Sequence, residues 1–246
     1  MSNKNITIAH SNLQCGVHAT KGWWHYALIS WRYFFPHSLR AAHRTKHFIN
    51  ENAIDVISFS EIEGISFRSG GIDHMQYLSK RTGLKYVHFF ATHRVRGIIN
   101  QGNAIMSKYP IKRVQEHRLP GAGQSRFLGC CEIDVNGTAI AYFVTHLSLG
   151  KKDRTLQIKK VSEIIAHTKN EHIILAGDFN TPDLDELIPI TQQLNRINFA
   201  PNYPSWNPIR SLDHIFISKQ MTAENSEVKT TARFSDHLPL CTNVSV

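Results

Sequence analysis

Residues 171–180, Glu-His-Ile-Ile-Leu-Ala-Gly-Asp-Phe-Asn, constrain the fold of this chain more than any other stretch. The apolar run over 173–176 predicts a buried strand, and Gly177 followed by polar residues ends it abruptly. Residues two apart along an extended chain project to the same side. Strand geometry carried to its end therefore delivers Asp178 and Asn180 together at a sheet edge. An acid that orients or deprotonates water, beside an amide that donates to a phosphate oxygen, suits hydrolysis. The same four residues equally suit a plain strand-to-turn junction in which Asp and Asn serve the turn. Thr181-Pro182-Asp183 then cap and start a helix over 184–194, with Leu184 and Leu187 as its first apolar residues.

Around this stretch the chain alternates strands and helices. Strands are predicted over 6–10, 54–60, 86–91, 102–107 and 212–217, and residues 234–240 form a loop into a last strand. Ser38 is the expected cap of a helix carrying Leu39, Ala42 and Ile49; further helices cover 73–80 and 154–167, the latter with Ile158, Val161 and Ile165 on one face. The sharpest local signal is Asn136-Gly137 between 131–135 and 138–144, a hairpin whose return strand runs into Thr145-His146-Leu147. Strands outnumber helices and many pair locally, which predicts a mixed α+β class and not a doubly wound parallel sheet. At 246 residues, without a linker, the chain is expected to form one domain over 1–246. Residues 23–35 hold three of the four Trp, with neither helical nor alternating periodicity. They fit either the wall of a binding cleft or an apolar patch pinned to the body of the domain.

A formal charge of +9 favours an anionic partner, although Lys and Arg are scattered and form no tail-like block. Four cysteines occur without a Cys-x-x-Cys, and adjacent Cys130 and Cys131 face opposite ways on a strand, so buried free thiols in a reducing compartment are expected. The first twelve residues lack the apolar core of a signal peptide, and no apolar run approaches the ~18 residues of a membrane span. The expectation is a cytoplasmic protein. Fifteen histidines include no His-x-His or His-Glu-x-x-His, which disfavours zinc. A P-loop and a Gly-x-Ser-x-Gly elbow are also absent, against an NTPase or a serine hydrolase.

Polar residues recur at the predicted strand ends: Asn12; Glu61; His146; Asp178 with Asn180; and Asp213, Asp236 and His237. Each alone has a scaffold explanation. Together they are the inventory of a hydrolase that handles phosphate with a hard cation. Carboxylates and carbonyls suit Mg²⁺ or Mn²⁺, and histidines donate to phosphoryl oxygens where charge builds up.

The segments Asn12-Leu13, Ser60-Glu61-Ile62, Gly102-Asn103-Ala104-Ile105-Met106-Ser107, Thr145-His146-Leu147, Gly177-Asp178-Phe179-Asn180, Leu212-Asp213-His214-Ile215 and Ser235-Asp236-His237 resemble, in order, the motifs of the endonuclease/exonuclease/phosphatase superfamily. The resemblance implies a deoxyribonuclease-I-like four-layer α/β/β/α sandwich, two mixed β-sheets face to face with the active site at one end. It also implies roles. Glu61, with Asn12 and Asp236, would hold Mg²⁺, with Mn²⁺ as a substitute. Asp178 would orient or deprotonate water, and Asn180 would position it or the phosphate. His146 and His237 would donate to non-bridging oxygens, with Asp213 fixing the tautomer of His237. Arg126 and Arg154 match Arg positions frequent in the family, and both scaffold pairing and phosphate contact explain them. The region around His93, Arg94 and Arg96 offers no counterpart of a further supporting acid or tyrosine. His214 is expected to face away from the site.

The expected activity is Mg²⁺-dependent phosphodiester hydrolysis by a monomer, with nucleic acid placed ahead of a phospholipid head group as substrate. The Trp-rich stretch beside cations equally suits peripheral contact with an anionic membrane. The alternatives are a phosphomonoesterase and an inactive phosphate-binding protein.

Overall fold

Two six-stranded sheets carry the chain in the computed structural model, which describes residues 4–33, 35, 36 and 39–246. In chain order the elements are β1 (Asn5–Asn12), α1 (Trp23–Ile29), α2 (Arg40–Glu51), β2 (Val56–Glu63), α3 (His74–Thr82), β3 (Tyr86–Val95) and β4 (Ile99–Ser107). Then come β5 (Ile111–Leu119), β6 (Arg126–Val135), β7 (Thr138–His146), α4 (Lys151–Ala166) and β8 (His172–Asp178). The chain closes with α5 (Ile188–Thr191), β9 (Leu194–Arg196), β10 (Asp213–Ser218), β11 (Thr222–Val228) and β12 (Leu240–Ser245). The sheets run β11-β12-β1-β2-β4-β3 and β5-β6-β7-β8-β10-β9. Each is mixed: β1–β2 and β7–β8 are parallel pairs among antiparallel neighbours.

Side-chain alternation builds the layers. Along β7, Ile140, Tyr142 and Val144 enter the core between the sheets, while Ala141 and Phe143 enter the core beneath α4. The run 173–176 divides the same way, Ile174 and Ala176 inward and Ile173 and Leu175 outward. A strand covered on both faces needs such an unbroken apolar run. Cys131 lies in the central core and Cys130 in the outer one, as their adjacency requires. A third core, with Phe48, Ile57 and Leu78, joins the other sheet to α2 and α3. The result is the expected four-layer sandwich. Gly177 has a steric reason: a Cβ there would stand 2.2 Å from the carbonyl oxygen of Thr145 on the neighbouring strand.

Several expectations need correction. The helix over 184–194 is instead a short 3-10 turn, Leu184–Leu187, the four-residue α5, and β9, because Pro189 falls where the helix would have to continue. Strands β5 and β11 escape a hydrophobic reading because they are charged, largely exposed edge strands. Ser38, expected to cap α2, lies outside the described residues; Leu39 occupies the cap position without a side-chain bond. No helix among the described residues is long and apolar enough to cross a membrane.

Candidate active site

Register alone brings the acids and histidines together. His146 at the end of β7 pairs with Asp178 at the end of β8, and Asp178 pairs with Asp213 at the start of β10. Three functional side chains thus stand in one row across one sheet. The other sheet supplies Asn12 at the end of β1, and its Nδ2 crosses the gap to donate to Asp178 Oδ2 at 2.9 Å. Glu61 arrives by a different device. Between Phe59 and Ile62, β2 bulges against β4, and Glu61 takes the left-handed conformation, φ 53°. A bulge re-aims a side chain that regular alternation would send elsewhere.

Asn180 also departs from the simple reading. The strand stops at Asp178, and Asn180 is left-handed with φ 52°, so the two do not project in parallel along one strand. They still meet: Asn180 N donates to Asp178 Oδ1 at 2.9 Å, and Asn180 Nδ2 donates to the carbonyl of Leu147 at 2.8 Å. Asp178 is therefore held on both oxygens by neutral amides. Burial, reinforced by Asp213, pushes its pKa up to about 6. His146 Nε2 and His237 Nε2 stand 3.6 and 3.9 Å from Asp178 Oδ2.

Asp213 is densely bonded. Its Oδ2 is 2.6 Å from His237 Nδ1 and accepts from Asn202 Nδ2, while His10 Nε2 lies 3.2 Å from Oδ1. Burial alone would raise Asp213, but His237 and His10 outweigh it and hold the carboxylate well below its usual range. Burial would likewise lower His237, but Asp213 and Asp178 raise it to about 10, so it is a cation at neutral pH. His146 moves the other way: burial, then the nearby Arg126 and His237 charges, keep it neutral.

Glu61 and Asp236 have weaker partners. Glu61 Oε2 accepts from the Cys15 thiol at 3.4 Å, and Asp236 Oδ1 accepts from the Ser235 hydroxyl at 3.1 Å. Burial and the charge of Glu61 leave Asp236 raised to about 7 against the pull of His237. Neither carboxylate accepts a hydrogen bond from a charged donor among the described residues, and oxygen ligands of this kind could hold Mg²⁺ or Mn²⁺. Asp178, Asp213 and His237 also offer ligand atoms within 4.8 Å of one another. In that cluster His237 Nδ1 is already engaged with Asp213 Oδ2 at 2.6 Å, so Glu61 and Asp236 could equally hold a cation.

The two arginines separate. Arg154 makes a two-point bond to Glu186, at 2.7 and 3.1 Å, and caps the carbonyls of Ser148 and Leu149; it is scaffold. Arg126 is buried near the charges of Glu61 and Asp178, and its Nε has no hydrogen-bond partner among the described residues. His214 faces away as expected, bonded to the Thr181 carbonyl among Phe179 and Phe216. Sequence reasoning missed His10 and Asn202. His10 had a signal, since it lies two residues before Asn12 and shares its face of β1; Asn202, in a loop, had none.

An aromatic wall flanks the site. The Tyr203 ring lies 4.7 Å from that of His237, and Trp23 packs edge-on against Tyr203 and, at 5.2 Å, Trp206. Trp23 opens α1, so part of the Trp-rich stretch joins the aromatic rings beside His237.

Residues 12–237 match the model of the Endonuclease/Exonuclease/phosphatase family. No curated protein matches the chain in sequence. Among solved structures, the endonuclease/exonuclease/phosphatase of Beutenbergia cavernae shares 19% identity over 98% of this chain and 72% of its own, with a TM-score of 0.74. The mannosyl-6-phosphatase of Bacteroides thetaiotaomicron shares 17% over 97% and 99%, TM-score 0.72. D. rerio TDP2, complexed with a single-strand DNA product, shares 16% over 98% and 99%, TM-score 0.71. At these identities the likeness establishes the fold.

Proposed function

The chain belongs to the endonuclease/exonuclease/phosphatase family of hydrolytic phosphoesterases, and we propose that it hydrolyses phosphodiesters with a divalent cation, Mg²⁺ or Mn²⁺. The observation that carries this reading is Asp178, a buried carboxylate at about pKa 6, held by two neutral amides between two imidazoles. It is ionised at neutral pH yet basic enough to take a proton from water. Asn180, its Nδ2 tied to Leu147, holds that water through its Oδ1. The proton passes to Asp178 as the water oxygen attacks phosphorus in line with the leaving oxygen.

Charge then builds on the non-bridging oxygens. The protonated His237, fixed through Nδ1 by Asp213, donates from Nε2, and neutral His146 donates a second bond. Of Asp178 and His237, this assigns the general base to Asp178. Arg126, its Nε unpartnered among the described residues, takes up phosphate charge. Glu61 and Asp236, with Asn12, would hold the metal. When bound, it supplies Lewis-acid neutralisation of the phosphate and leaving oxygen.

The wall of Tyr203, Trp23 and Trp206 fits either a stacked base or a lipid head group. Nucleic acid is the reading favoured by net charge; the outer surface of the segment bearing Trp23 favours phospholipid. Hydrolysis of bis(p-nitrophenyl) phosphate tests the chemistry independently of that choice. Activity with Mg²⁺, lost with EDTA and reduced about 10³-fold in Asp178→Asn at equal folding, is expected. Full activity in that variant would sink the mechanism. Nicking of supercoiled plasmid and hydrolysis of phospholipid vesicles then separate the two substrates.

A further inference from the structure

The segment carrying Trp23 has two faces with different surroundings. On the inner side, Tyr26, Ile29 and Tyr33 pack on Val17 and Ala19, forming a small core of their own. Trp23 turns towards the aromatic wall. The outer side is left with Trp24, Leu28 and Trp31, spaced four and three apart, which places them on one helical face. They are 61%, 65% and 52% exposed. A folded protein rarely leaves three large apolar side chains of one face in water without a partner.

The patch does not end with the helix. Arg68, buried against Glu63, donates from Nη1 to the carbonyl of Tyr33 at 3.3 Å, tying the aromatic segment to the 65–68 loop. Phe67 N in turn bonds the Gly97 carbonyl in the β3–β4 turn. Ile65, Phe67 and Ile98 on these tethered loops are also exposed. Three segments on one side of the molecule thus present apolar side chains together.

Charge narrows the partner to an anionic one. Residues 1–50 contain six Lys and Arg and no Asp or Glu, two thirds of the chain's net charge in its first fifth. Lys21 and Arg32 flank the exposed face directly, and the Arg32 guanidinium lies 5.8 Å from the Trp31 ring centroid. Nucleic acid and membrane both attract cations, but they use apolar side chains differently. Bases stack on flat rings, whereas Leu28, Ile65 and Ile98 offer none. Aliphatic side chains among Trp, bordered by cations with long stems, suit the boundary between acyl chains and anionic head groups.

We infer that the face formed by Trp24, Leu28 and Trp31, extended by Ile65, Phe67 and Ile98, docks this protein on an anionic phospholipid surface. The inference deepens the phosphodiesterase reading and rests on it only for the substrate: docking beside the Trp23–Tyr203 wall brings lipid head groups to the mouth of the site.

Cosedimentation with phosphatidylcholine vesicles, with and without phosphatidylserine, tests the docking, with tryptophan emission as a second readout. The wild type is expected to bind the phosphatidylserine vesicles more tightly, with a blue shift. Trp24→Ser combined with Trp31→Ser should weaken that binding about tenfold or more while leaving hydrolysis of the soluble diester unchanged, which also reports the fold. Leu28→Gln with Phe67→Ser should act in the same direction. Vesicle binding unaffected by both double variants, or absent in the wild type, overturns the inference. So does binding to a single-stranded oligonucleotide that the Trp double variant abolishes in place of vesicle binding. Asp178→Asn should bind vesicles like the wild type, so loss of catalysis and loss of docking stay distinguishable.

Discussion

The site contains two groups of carboxylates that the protein treats differently. Asp213 is surrounded by donors: His237, His10 and Asn202 all reach it, and it is held as an anion. Among the described residues Glu61 and Asp236 accept side-chain hydrogen bonds only from a thiol and a hydroxyl, with Arg126 and His237 acting on them at longer range, and Asp236 rises to about 7. Burial penalises Asp213 and Asp236 alike and the half-buried Glu61 less; the difference is whether the chain supplies a directly bonded compensating cation. On the Asp213 side it does, with the imidazolium of His237. On the Glu61 side it supplies none in hydrogen-bond contact, and that is where the proposed cation would bind. Asp178 sits between the two, fully neutralised by neither, which is what the proposed role of base requires.

Breaking the compensated side has the largest expected effect. Asp213→Asn leaves His237 without its partner and should cost about 3 kcal/mol of stability, read by denaturant unfolding, besides impairing hydrolysis. The sign of its pH dependence follows from His237, raised from 6.5 to about 10. Its stabilising contribution is complete below pH 6.5 and is lost as pH rises through about 10. In Asp213→Asn that alkaline loss should shrink; an unfolding profile identical to wild type would contradict the pairing.

The two arginines sharpen the contrast on a smaller scale. Arg126→Met is expected to lower kcat/KM on a diester about tenfold with little change in stability, since Arg126 Nε has no hydrogen-bond partner to lose among the described residues. Arg154→Met should do the reverse, leaving kcat/KM within about twofold and lowering stability by about 1–2 kcal/mol through the lost Glu186 bond. Reversal of the two results would exchange their roles.

The pH–rate profile is a gentler probe of the middle carboxylate. With Asp178 as base, kcat/KM should rise as pH passes about 6 and fall only as His237 loses its proton near 10. A rate that falls through 6 would make the protonated carboxyl the active form.

Much of this was legible in the residues. The run 173–176 and the Asn136-Gly137 turn disclose strands because burial and backbone geometry act locally there. Asp178, Asp213 and His146 stand at strand ends, so their meeting follows once the strands are paired. Glu61 and Asn180 are aimed by left-handed backbone at a bulge and a turn, which periodicity does not reveal. Asn202 depends on a loop folding back over Asp213, and Arg126 and Arg154 are told apart by partners distant in sequence, Glu61 and Asp178 near one and Glu186 bonded to the other. Local patterns therefore located the site, while its electrostatics came from contacts distant in sequence.

A thermal-melting titration with Mg²⁺ tests the division of the site most directly. Wild type should gain about 2.7 kcal/mol at a hundredfold excess over Kd. Asp236→Asn should lose most of that gain. Metal-free, it should be no less stable than wild type at pH 7, because its raised carboxyl makes native stability fall as pH rises from 3.8 towards about 7. A variant that still gains fully from Mg²⁺, or that melts early without metal as Asp213→Asn is expected to, would contradict the account.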